Sequence, residues 1–154
     1  MNQVDSDTEI ITTRVFNAPR TLVFKAWTDP KHVAKWWGPK AFTSYDCEID
    51  LRPGGSFRLL MSGPDGTVYP CRGIYREIVE PEKIVLVGPS DDSPACGAGL
   101  PPNAVVTVTF ADLDGRTKLT IHTQLRSADD VAAVTQAGYV VGWESCLDRL
   151  AEIV

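Results

Sequence analysis

Residues 10–16, Ile10-Ile11-Thr12-Thr13-Arg14-Val15-Phe16, are rich in β-branched side chains and predict a first strand, which Asn17-Ala18-Pro19 ends. Pro19 suits the start of a helix, and Leu22, Val23, Ala26 and Trp27 follow at helical spacing, predicting a short helix. Asp29-Pro30 repeats the start signal, a cap acid before a proline. Val33, Trp36 and Trp37 form the stripe of a second short helix, closed by Gly38-Pro39. Over residues 43–51 the period falls to two. Tyr45, Cys47, Ile49 and Leu51 are expected on one face, and Asp46, Glu48 and Asp50 on a solvated acidic one.

Arg52-Pro53-Gly54-Gly55 turns the chain into Phe57, Leu59 and Met61, which alternate with polar residues, and Pro64-Asp65-Gly66 closes a hairpin. Residues 68–79 read as a longer strand in which Pro70 and Gly73 predict an edge position or a bulge. Glu80-Pro81-Glu82 leads into a strand at residues 84–87, and residues 89–103 read as a long Pro-rich loop, a candidate gate. Val106, Val108 and Phe110 supply the inner face of another strand. Asp112-Leu113-Asp114-Gly115 turns, and Leu119, Ile121, Thr123 and Leu125 continue the sheet with His122 pointing outward. Ser127 and Asp130 then cap a helix running to the C-terminus. Its stripe is Val131, Val134, Tyr139, Trp143, Cys146, Leu147, Leu150 and Ile153, with Glu144, Asp148, Arg149 and Glu152 on the solvent side. Gly138 and Gly142 weaken its middle by about 1 kcal/mol each relative to Ala, so a bend or close contact is expected there.

This order predicts an α+β fold in which a curved antiparallel sheet of six or seven strands wraps around the C-terminal helix. Because a bowed sheet cannot lie flush against a straight helix, the space between them must hold large side chains or a cavity. Trp27, Trp36, Trp37, Tyr45, Phe57, Tyr75, Phe110, Tyr139 and Trp143 supply the bulk to plug or to line it.

The chain has 154 residues, 44% hydrophobic and 23% charged, enough for one core without disulfides or a metal. Residues 1–7 are expected to be a flexible tail and residues 8–154 a single domain. The 15 Lys+Arg against 20 Asp+Glu leave a net charge of −5, which excludes a nucleic-acid binder dependent on clustered cations. Arg20, Lys25, Lys31, Lys35 and Lys40 against Asp29 nevertheless give the helical hairpin a local charge of +4 and leave −9 for the rest. That asymmetry suits a solvated face or an anionic partner. The two longest uncharged stretches, residues 93–111 and 131–143, are interrupted by prolines or too short to span a bilayer, so no membrane partner is expected. With no secretory signal in view, the chain reads as cytoplasmic.

Cys47, Cys71, Cys96 and Cys146 form no metal-ligand spacing with each other or with His32 and His122. Cys47, Cys71 and Cys146 read as reduced packing residues, and Cys96 as a loop thiol. No metal or cofactor is expected. Catalysis needs an acid or base facing the interior, and the candidates are Tyr45, Tyr69, Tyr75, Arg72 and Glu77. None joins a His or Cys in a recognisable constellation, so the balance of the reading is against an enzyme.

Ala18-Pro19-Arg20, Val23-Phe24-Lys25-Ala26-Trp27-Thr28-Asp29-Pro30, Lys35-Trp36-Trp37-Gly38-Pro39, Asp50-Leu51-Arg52-Pro53-Gly54-Gly55, Pro64-Asp65-Gly66, Asp114-Gly115 and Gly142-Trp143 occur in this order. In that joint order the sequence resembles the activator of heat-shock protein 90 ATPase homologue branch of the START-like (SRPBCC) superfamily, over about residues 8 to 153. The resemblance implies the helix-grip fold with a hydrophobic cavity between sheet and C-terminal helix. It also implies a choice of roles: binding of a small hydrophobic or lipid-like molecule, a cochaperone-like interaction module, or a polyketide cyclase-like enzyme. The N-terminal chaperone-binding domain of the eukaryotic cochaperones has no counterpart in the sequence, so chaperone activation does not follow from the resemblance alone. The partners admitted are a small hydrophobic molecule, a chaperone or other protein, and a second copy in a homodimer. The residues expected to line the ligand site are Trp36, Trp37, Tyr45, Cys47, Phe57, Leu59, Met61, Tyr75, Phe110, Tyr139, Trp143 and Leu147.

Overall fold

The computed structural model describes residues 8–38, 40–88, 101 and 103–154; the expected N-terminal tail, most of the candidate gate loop and Cys96 lie outside them. The elements follow the order β1 (Glu9–Phe16), α1 (Arg20–Thr28), α2 (Pro30–Trp36), β2 (Thr43–Ile49), β3 (Ser56–Ser62), β4 (Val68–Val79) and β5 (Lys83–Val87). After these come β6 (Val105–Leu113), β7 (Arg116–Gln124), α3 (Ala128–Gln136) and α4 (Tyr139–Ile153). The strands form one antiparallel sheet in the order β1-β7-β6-β5-β4-β3-β2. Each strand from β2 to β7 pairs with its sequence neighbour, and β1 completes the sheet beside β7. This is the helix-grip arrangement.

Local chemistry accounts for the joints. Asp29 accepts a hydrogen bond from the Lys31 amide at 2.9 Å with Pro30 in the first turn, and Ser127 accepts one from the Asp130 amide at 3.1 Å. Asp114 and Gly115 both take positive φ, 52° and 85°, the conformation a two-residue hairpin needs between Leu113 and Arg116. Pro70 sits in the part of β4 that only β3 pairs, because the β4–β5 register begins at Ile74, so its missing N–H leaves no ladder bond unmade.

The structure corrects the sequence reading at four points. The C-terminal helix is two helices: Gly138 at φ 94° is left-handed, which breaks the i to i−4 ladder after Ala137 and starts α4 afresh. In β2, Asp46 at φ 51° and Cys47 together oppose a single β3 residue, Leu59, so the pairing jumps from Tyr45–Leu60 to Glu48–Arg58. This bulge reverses the strand's parity: Ser44 is buried, Tyr45 is turned outward, and only Cys47 and Ile49 face the core. Leu51 lies beyond the strand and is exposed. The bulge in β4 falls at Arg76 rather than Gly73.

The helices cover one face of the sheet, with α4 packed on α2, β1 and α3. Arg149, expected in solvent, instead inserts its guanidinium among backbone carbonyls at the end of α2. It donates to the carbonyls of Lys35 (2.9 Å), Trp37 (3.2 Å), Gly38 (2.9 Å) and Phe42 (3.3 Å). Cys146 Sγ and Ser145 Oγ accept from the amides of Gly38 and Lys40, so α4 fastens the whole α2–β2 turn.

Candidate functional site

The interior between the sheet and α4 is built around four indoles. Trp36 ends α2, and Trp37 follows it in extended conformation, so the two rings leave the backbone in different directions yet both are buried. Trp36 donates its Nε1–H to the Ala26 carbonyl at 2.8 Å. Trp37 lies 4.9 Å from the Phe57 ring and 5.1 Å from Trp143, edge to face with the latter. Trp143 stacks on Trp27 at 5.6 Å and 15°, and Trp27 meets Phe110 edge to face at 6.1 Å. Tyr139 meets Trp143 at 6.4 Å, and its hydroxyl forms a 2.6 Å hydrogen bond with Thr123 Oγ1.

Of the residues expected to line the site, Trp36, Trp37, Phe57, Leu59, Met61, Tyr75, Phe110, Tyr139, Trp143 and Leu147 are brought together in one buried cluster. Cys47 packs against its edge, half-buried, and Tyr45 is excluded by the β2 bulge. Trp27, absent from that expected set, stands at the centre of the cluster. Its signal in the sequence was its place on the same α1 face as Val23 and Ala26, which does not distinguish a lining residue from ordinary core. At the α2 end of the interior the rings of Trp27, Trp36, Trp37, Trp143 and Phe57 are in mutual contact.

The proposed acid–base groups scatter. Arg72 stands opposite Arg58 on the outer sheet face and Glu77 pairs with Lys83 at 3.0 Å. Tyr69 lies beside Phe42, ring centroids 6.0 Å apart. His122 contacts Glu9 at 2.7 Å on the outer face. Among the described residues no group of three His, Cys, Asp or Glu side chains is placed to hold a metal ion, and no helix is long and apolar enough to cross a membrane. A cleft of about 660 Å³ opens over β2–β4, with Glu48, Arg58, Leu60, Pro70 and Arg72 on its rim. Another of about 570 Å³ lies by Arg20, Glu82, Lys83 and Asp112.

Two titrating groups mark the inner face. Burial, then the charges of Asp29 and Glu48, push the Cys47 thiol from its ordinary 9.0 to about 11, and burial followed by the neighbouring Cys47 pushes the Tyr75 phenol up as well. Both groups are therefore neutral at physiological pH. At about pH 8 Cys47 should hold roughly a hundredfold less thiolate than an ordinary cysteine and alkylate correspondingly slowly with iodoacetamide, read by peptide mass mapping. An unperturbed rate would refute that environment. Since the folded chain holds this proton more tightly than the unfolded one, the associated stability is present below pH 9.0 and lost as pH rises towards about 11.

The sequence matches the family model described as Activator of Hsp90 ATPase homolog 1-like protein over residues 17–154. No curated protein matches it. Among solved structures, protein Ms6760 from Mycobacterium smegmatis is similar at TM-score 0.83 and 25% identity, covering 99% of this chain and 94% of that one. Protein CV1439 from Chromobacterium violaceum is similar at TM-score 0.77 and 29% identity over 96% of each chain. The AHSA1-like protein from Aeromonas hydrophila gives TM-score 0.69 at 21% identity, covering 93% and 90%, a likeness of fold. With the sheet order, the helix grip and a match across nearly the whole sequence in agreement, the chain belongs to the activator of Hsp90 ATPase homolog 1-like family.

Proposed function

We propose that the interior between the sheet and α4 takes up a small, predominantly apolar molecule against its aromatic side chains. The observation that carries this reading is the break at Gly138. It separates α4, which presents Tyr139 and Trp143 to the interior, from α3, whose one buried side chain among the described residues is Val134. A helix held by so little apolar contact opens at low free-energy cost. Its displacement about Gly138 would admit a guest beside Tyr139 and Trp143, with Trp37, Phe57 and Tyr75 as the facing wall. Large rigid rings of this kind favour a flat or elongated apolar guest.

A ligand present at a hundred times its dissociation constant stabilises the folded state by about 2.7 kcal/mol, which for a chain of this size raises the melting temperature by roughly 5–10 °C. Thermal melts against a broad panel of lipids and aromatic hydrocarbons, paired with native mass spectrometry of the freshly purified protein, test it. A flat response across the panel together with a ligand-free mass would dispose of this function.

A second reading rests on Lys25, Lys31, Lys35 and Lys40, all exposed and without an ion-pair partner among the described residues, on the α1–α2 hairpin of an acidic chain. Such a face suits an acidic protein surface and a cochaperone-like role. It predicts stimulation of a heat-shock protein 90 ATPase that falls with added salt and is lost when these lysines become glutamates. Unchanged ATPase rates with the protein in excess would exclude it.

A further inference from the structure

Among the described residues, buried polar side chains find hydrogen-bond partners except in one place. Trp36 Nε1 donates to the Ala26 carbonyl, Thr117 Oγ1 donates to the Ala18 carbonyl at 2.7 Å, Ser44 Oγ donates to the Trp37 carbonyl, and Thr123 and Tyr139 bond to each other. The indole Nε1–H groups of Trp27, Trp37 and Trp143 are buried and meet no acceptor among the described residues. All three belong to the same cluster. Buried donors are ordinarily paired with protein or with ordered water, so three orphans on mutually touching rings call for an explanation.

The rings cannot supply it themselves. An indole N–H lies in its ring plane, so Trp27 and Trp143, stacked at 15°, do not donate into one another's faces. Trp37 stands at 82° to Trp27 and 76° to Trp143, where a ring face is at best a weak, second-order acceptor. What these three donors lack is an acceptor oxygen. That oxygen is uncharged by the same accounting: the buried polar or charged residues among those described are Ser44, Thr117 and Thr123, so no buried cation is at hand to balance a carboxylate or phosphate. A carbonyl oxygen has two lone pairs and can accept from two of these donors at once.

We infer that the guest of this interior carries a neutral carbonyl, as a ketone, ester or lactone does, and that its oxygen accepts from two of the three indole N–H groups of Trp27, Trp37 and Trp143 while the remainder of the molecule lies against apolar rings. This rests on the ligand-binding reading above and narrows it to a chemical class. It also assigns Trp27 to the site.

Shape-matched pairs differing only in the oxygen provide the test: acetylnaphthalene against isopropylnaphthalene, acetylbiphenyl against isopropylbiphenyl, and a long-chain methyl ketone against the corresponding methyl-branched alkane. In a purely apolar interior the hydrocarbon of each pair binds more tightly, because the ketone gives up hydration for nothing. In an interior with unmet donors the order reverses, and the ketone is expected to bind at least about tenfold more tightly by calorimetry. In nitrogen-15 spectra of the same samples, two of the Nε1–H signals of Trp27, Trp37 and Trp143, assigned from single Trp→Phe variants, should move downfield with the ketone, and a ketone that binds without moving any of them would overturn the inference. The Trp36 signal, already bonded to Ala26, should hold. Hydrocarbons binding as well as or better than their ketones would overturn the inference and leave the ligand-binding reading standing. Failure of every compound of both kinds to bind would remove both.

Discussion

Trp143→Ala is expected to lower the unfolding free energy by about 3–5 kcal/mol, the range for deleting a large aromatic from a packed interior, measured by urea denaturation followed by far-ultraviolet circular dichroism. The rings around Trp143 are anchored on different elements: Trp27 on α1, Trp37 at the end of α2 and Tyr139 on α4 itself. No single shift lets them all close on the void, so the cavity term is added to the lost transfer free energy. Against a typical stability of about 5–15 kcal/mol this is a large fraction of the total. Trp143→Phe keeps part of the stack and should lose less. A loss below about 1 kcal/mol for the alanine variant would mean that the indole cluster is loosely filled, and the packing described here would then be wrong.

Arg149→Met should cost about 2–4 kcal/mol. Methionine retains the apolar stem but removes charge-assisted donors to the carbonyls of Lys35, Trp37, Gly38 and Phe42, which close the end of α2 and begin the path to β2. Arg149→Lys should fail to restore stability, because a single ammonium on a flexible stem cannot reproduce a planar fork spread over several carbonyls. Hydrogen exchange at the Gly38 and Lys40 amides, held by Cys146 and Ser145, should accelerate in both variants. Full stability in the lysine variant would show that charge alone, and not the guanidinium geometry, fastens α4 to this turn.

Arg149 also illustrates where reading the chain stops. Its neighbours Glu144, Asp148 and Glu152 mark a polar helix face, and nothing within a turn of it signals that the carbonyls it needs belong to residues more than a hundred positions earlier. Tyr45 fails for a related reason. Strict alternation over residues 43–51 places it inward, but a left-handed Asp46 inserts one residue and inverts every side chain before it. The candidate site was more legible, because large apolar residues at period two on β3, β6 and β7 and at helical spacing on α4 can only be buried on the inner face. Phe57, Leu59, Met61, Phe110, Tyr139, Trp143 and Leu147 all fall where that pattern sends them. Trp27 carried the same pattern without any mark separating it from its neighbours.

The sequence by itself determined the elements, their order and most inward faces, because periodicity, capping by Asp29 and Ser127, and the Asp114-Gly115 turn act over a few residues. Only the tertiary structure decided that Gly138 divides the last helix, that four indoles from three helical segments meet in one space, and that three of them find no acceptor for their N–H among the described residues. Those outcomes are set by steric fit and hydrogen-bond partnership between residues distant along the chain. No local pattern encodes a distance between segments that meet only once the sheet has curved around them.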